Sequence, residues 1–146
     1  MLALPHGRLL LALGWIFIVL VVAGSLGPPV SGAPFSISDK VQHFAAYFGL
    51  TLWFAGLYSR DRLLFVALSF FCLGGLIEVM QGLLTATRQM DVVDVAANSL
   101  GIAGATVVAA LGLSSWALRL EAWWSRRSAA AVARKTPGRK PGKESV

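Results

Sequence analysis

Asp39, Lys40, Glu78, Arg88, Asp91 and Asp94 sit in or beside stretches that are otherwise apolar enough to cross a membrane. His43, Gln81 and Asn98 lie among them. Carboxylates and an imidazole move protons near neutral pH and orient polar ligands. A charge in hydrocarbon is costly, so an intramembrane cluster of this kind is by default a functional-site hypothesis. His43, Glu78 and Asp94 are the catalytic candidates, as acids or bases. Asp39, Lys40, Gln81, Arg88, Asp91 and Asn98 are the candidates for binding. No nucleophile is evident, since Thr85 and Thr87 are ordinary loop residues. Hydrolysis here would run through activated water.

The charges of the cluster do not cancel. Four carboxylates face only Lys40 and Arg88, and the excess must be relieved by a proton or a cation. Arg88 is placed to brace Glu78 or Asp91 bidentately. Gln81 and Asn98 offer both donors and acceptors. Each residue also has a plainer reading. Asp39 and Asp91 suit helix N-termini, where carboxylates meet free N–H groups. Glu78 and Asp94 lie too deep for that and would otherwise form an interhelical network. His43 and Asn98 would be satisfied packing residues. Asp91 and Asp94 are one turn apart and could hold Mg²⁺ or Ca²⁺ through oxygen. The Glu-x-x-His pair of di-iron bundles is absent. The expectation is no cofactor and no metal, with a divalent cation as the minor alternative.

The elements that must position these groups follow from composition. The chain has 146 residues, of which 56% are hydrophobic and 14% charged. A soluble domain carries about 25% charged residues, so these values indicate a multi-pass membrane protein. The expected class is all-α, with four transmembrane helices over about 9–26, 39–58, 63–84 and 91–113. An interfacial helix over about 114–128 and a disordered basic tail over 129–146 complete the single bundle. Trp116, Leu120, Trp123 and Trp124 lie close to one side of that interfacial helix, as headgroup aromatics do. Eight of the 13 Lys and Arg residues lie in 119–146, opposed only by Glu121 and Glu144, and account for the whole net charge of +6. The basicity therefore belongs to the tail and not to a nucleic-acid-binding surface. With Arg8, Arg60 and Arg62, it places both termini in the cytoplasm by the positive-inside rule. The partners expected are the bilayer and an amphipathic ligand. Cleavage of the first span as a signal peptide is the competing expectation. Cys72 is the only cysteine, so no intrachain disulfide forms.

Depth brings the polar groups to one level. At about 1.5 Å per residue, Glu78 lies roughly 22 Å along its helix from Leu63, in a core about 30 Å thick. His43 and Asn98 lie roughly 6 and 10 Å below Asp39 and Asp91, the starts of their own helices. Three helices thus carry polar residues at the same extracytoplasmic level. Facing agrees. Asp91, Asp94, Asn98, Gly101 and Ala105 follow a 3-4-3-4 spacing along one stripe. Gly74, Glu78 and Gln81 form a second stripe, and Asp39, His43 and Ala46 a third.

The ordered set resembles the VanZ-like family: Asp39-Lys40 with His43, then Glu78 with Gln81, Arg88, Asp91, Asp94, Asn98, Gly101 and Gly104. The resemblance covers about residues 39–104. It implies a small bacterial protein of the cytoplasmic membrane, whose founding member is associated with resistance to teicoplanin. That drug bears a lipid and acts outside the membrane on cell-wall precursors. The resemblance points to an enzyme or binding protein for a lipid-linked cell-wall precursor or lipoglycopeptide at the outer leaflet, with catalysis unresolved. The alternative is a non-catalytic scaffold whose polar network holds the helices and a partner protein. An ion pathway is disfavoured, because the inner halves of the helices are apolar.

Overall fold

A computed structural model describes Leu2 and residues 4–27, 38–85 and 90–135, with side chains as far as residue 131. Among these residues the chain is all-helical, with no strand. Helix α1 spans Gly7–Leu26, α2 Asp39–Leu57, α3 Leu63–Leu84, α4 Val92–Val108 and α5 Trp116–Lys135. A single tight turn, Arg60–Arg62, joins α2 to α3.

The helix ends have local causes. Asp91 caps α4 by accepting the Val93 N–H at 2.8 Å, so helical geometry begins at Val92 and not at the cap. At the other end, α4 opens into a wide turn over Ala109–Leu113, where the Ser114 N–H reaches back to the Ala109 carbonyl at 2.8 Å. Gly112 sits there at φ +142°, a region that favours glycine. Helix α5 continues through Lys135, beyond the boundary expected at 128. Ala129, Ala130, Ala131 and Ala133 explain the extension, since alanine is the strongest helix former. Residues 136–146, the rest of the expected tail, lie outside the described residues.

Helix α2 is the centre of the bundle. It buries eight of its residues, whereas α1 buries three. Tyr47, Leu50 and Phe54 of α2 pack with Val66 and Phe70 of α3 and Ile102 of α4. The outer surface is apolar: Val19, Leu20, Leu64, Leu83 and Leu111 are all strongly exposed. Gly7–Leu26, Arg60–Leu84 and Val92–Leu113 are long and apolar enough to cross a membrane. Helix α2 does not join them on composition, because its first half carries polar residues.

Two glycines set the closest approaches. A methyl group at Gly101 would strike the Phe44 carbonyl of α2 and lie 3.0 Å from the Phe48 nitrogen, so α4 rests backbone to backbone on α2. A methyl at Gly56 would enter the Trp116 indole. Trp116 is seated there by its Nε1–H, which donates to the Leu52 carbonyl at 3.1 Å. It therefore anchors α5 to α2, while Leu120, Trp123 and Trp124 remain exposed.

Candidate functional site

The start of α2, the end of α3, the start of α4 and the end of α1 meet at one end of the bundle. Lys40 reaches from α2 to α4. Its ammonium donates to Asp94 at 2.6 Å and also pairs with Asp91. The two carboxylates read from the sequence as a candidate cation pair thus share a lysine. Asp94 is buried, whereas the Asp91 side chain is 41% exposed as befits a cap.

His43 is buried in the same cluster. Its Nδ1 lies 3.1 Å from Asn98 Oδ1. An amide oxygen only accepts, so the contact requires the Nδ1–H tautomer or the imidazolium. Nε2 faces Asp39 and Asp94, each with a carboxylate oxygen 3.9 Å away. These distances exceed a hydrogen bond, so the imidazole lies between two carboxylates without engaging either directly. One ligand atom each from Asp39, His43 and Asp94 falls within 4.8 Å of the others. The Lys40 ammonium bonds the same Asp94, and this arrangement carries no metal assignment.

Glu78 joins from α3. It is buried, and its Oε1 accepts the Asp91 backbone N–H at 2.5 Å. Among the described residues its Oε2 has no hydrogen-bond partner, and the same holds for the hydroxyls of Tyr47 and Thr51 in the core below. Gln81 takes a different direction, donating through Nε2 to the Ser25 carbonyl of α1 at 2.8 Å. It is thus a tie between α3 and α1. Arg88 lies outside the described residues.

A cavity of about 140 Å³ opens between α1 and α2 against this cluster. Ser25, Asp39, Gln42, His43 and Tyr47 supply its polar wall. Gln42 and Ser25 are not among the site candidates that the sequence offers. Gln42 carried a usable signal, since it follows Asp39 by three positions and shares its helix side. Ser25 carried none, because only the packing of α1 brings it here.

At the opposite end, His6 and Glu121 form a second polar contact that sequence reading missed. The His6 backbone N–H donates to Glu121 Oε1 at 2.8 Å, and its Nδ1 lies 3.0 Å from each carboxylate oxygen. The His6 ring and then its backbone N–H hold the Glu121 carboxyl below the usual glutamate range.

No family model, curated protein or solved structure matches this chain.

Proposed function

We propose that the chain is a VanZ-like protein of the bacterial cytoplasmic membrane, with four spans and both termini in the cytoplasm. In this reading α2 is the fourth span, shielded by three apolar helices that enclose its polar residues. The polar end opens to the extracytoplasmic leaflet and handles an amphipathic cell-envelope molecule, a lipid-linked wall precursor or a lipoglycopeptide. One observation carries the reading. A buried imidazole, oriented by Asn98 and flanked by Asp39 and Asp94, forms part of the wall of a cavity. Histidines held in this way serve as acid or base, or as recognition groups for a polar head. Glu78 and Asp94 are the carboxylates that would share that work.

A scaffold reading also has an observation behind it. The Lys40 pair joins α2 to α4, and the Glu78 bond joins α3 to the α4 cap. The two readings separate in one experiment. Lipids and glycopeptides co-purified with the wild type are compared by mass spectrometry with those from Glu78→Gln and His43→Ala. A site loses a specific ligand while the variant reaches normal membrane levels. A scaffold loses the protein itself, and identical ligand profiles at normal levels refute the site. Reporter fusions test the orientation, and a reporter at Ser128 on the outer side overturns it. Protection against a teicoplanin-type drug, which the resemblance implies, is tested by susceptibility of cells expressing the chain. Unchanged susceptibility removes that part of the proposal.

A further inference from the structure

The polar cavity does not stand alone. A second hollow of about 450 Å³ continues along the seam between α1 and α2, lined by Phe17, Leu20, Val21, Ala46, Gly49 and Trp53 among others. Leu20, Val21 and Ala46 belong to both hollows, so they form one channel with a polar head and an apolar body. Their combined size falls within the range of about 300–1,000 Å³ typical of small-ligand sites.

The head end is acidic. Asp39 stands at its wall with 47% of its side chain exposed. Asp94 lies behind His43, and the Lys40 ammonium already spans Asp91 and Asp94. The described cluster holds Asp39, Glu78, Asp91 and Asp94 against this one lysine. Such a pocket attracts a cation.

We propose that this channel binds a single-chain amphiphile with a primary-amine head, the head against Asp39 and His43 and the chain along Gly49 and Trp53. This rests on the reading of the polar end as a ligand site, and adds the head chemistry and the seat of the chain. In a bilayer the chain gains little from leaving lipid that is equally apolar. Affinity therefore comes from the head, through charge-assisted hydrogen bonds. The groove selects the chain by shape.

Gly49 offers a test, since a Cβ added there meets no atom within 4 Å and the backbone accepts a side chain at that point. Gly49→Leu sends its isobutyl group into the groove. The full chain in detergent is titrated with a medium-chain primary amine carrying a terminal bromine, which quenches nearby tryptophan. The matching bromo-alcohol and bromo-carboxylate are run beside it. The amine should bind about tenfold more tightly than the alcohol, and the Trp53→Phe protein should lack the quenched component. Gly49→Leu should abolish the quenching, while a short-chain amine still protects His43 from acylation by diethyl pyrocarbonate. Asp39→Asn should remove the preference for the amine. Equal quenching by all three head groups, unchanged in Asp39→Asn, overturns the amine assignment. Undiminished quenching in Gly49→Leu overturns the chain seat. Neither result touches the envelope reading, which the ligand profiles and membrane levels of the Glu78 and His43 variants test separately.

Discussion

Gly101→Ala tests whether the site depends on the closest contact in the bundle. The added methyl would strike the Phe44 carbonyl, a backbone atom fixed within α2. Relief to an ordinary carbon–oxygen contact of about 3.4 Å moves the helices apart by roughly 1 Å. Asn98 lies one turn from Gly101, and His43 adjoins Phe44. The His43–Asn98 contact of 3.1 Å would then stretch to about 4 Å, outside hydrogen-bond range. Overpacking of this kind costs about 1–3 kcal/mol, offset by up to about 1 kcal/mol of helix propensity. Gly104→Ala is the internal control. The same substitution one turn on meets only the Phe48 ring at 3.5 Å, an ordinary contact. The propensity gain is shared, so the two variants should differ by the full overpacking cost of about 1–3 kcal/mol. Reversible unfolding in mixed detergent micelles reads that difference. Nitrogen NMR of the histidine rings reads the His43 contact. Equal stability of the two variants, with an unshifted His43 spectrum, would refute the reasoning.

Gly56→Ala should evict the Trp116 indole and release α5, at a cost near 2 kcal/mol. Trypsin cleavage at Arg126 and Arg127 should then speed up by roughly thirtyfold, and an unchanged rate argues against the anchor. The Glu121 contact predicts an acid-sensitive hold on the N-terminal segment. The folded carboxyl titrates below the unfolded one, so its contribution is complete above about pH 4.3 and is lost as pH falls through the lower folded value. Hydrogen exchange of the first residues of α1 should rise over that acid range in the wild type and show no such step in Glu121→Gln. Tyr47→Phe and Thr51→Val each delete a buried hydroxyl that has no partner among the described residues, so each should leave stability equal or raise it by up to about 1 kcal/mol. A loss above 2 kcal/mol in thermal unfolding would show that these hydroxyls are bonded in the folded protein.

The parts of this architecture legible in the sequence are those governed by local periodicity. The 3-4-3-4 spacing that runs from Asp91 through Asp94, Asn98 and Gly101 to Ala105 specifies one helix side, and the structure buries its last four members against the bundle while Asp91 stays half-exposed as the cap. Gly74, Glu78 and Gln81 are likewise buried together on α3. Partner choice was less legible. Lys40 binds two aspartates more than fifty positions away, and charge alone does not say whether they bind a lysine, an arginine or a metal. His6 and Glu121 are separated by 115 positions. Nothing in either local sequence marks them as a pair. Trp116 resembled its exposed neighbours because a tryptophan at a helix end suits both a membrane belt and a core. Gly56, sixty residues earlier, decides between them by leaving room for the indole.

The most polar of the four long helices from α1 to α4 is also the most buried, and that inversion explains why the site lies where it does. In water an apolar face drives a helix inward. In lipid the surroundings are already apolar, and buried polar groups and close backbone packing hold helices together instead. Helix α2 fits the second case. Lys40 and His43 find their partners on α4, and Tyr47 packs on Gly74 of α3. A helix whose polar first half is satisfied only by its neighbours cannot face acyl chains without exposing those groups. The same bonds that seat α2 at the centre therefore gather its carboxylate and imidazole at one end. Among the described residues α1 covers that end from the side, and it covers it incompletely, with a cavity between Ser25 and His43. On the proposed reading, structural and ligand-binding roles divide by helix pair. The contact of α2 with α4 fixes the imidazole, and the seam of α2 with α1 gives access to it.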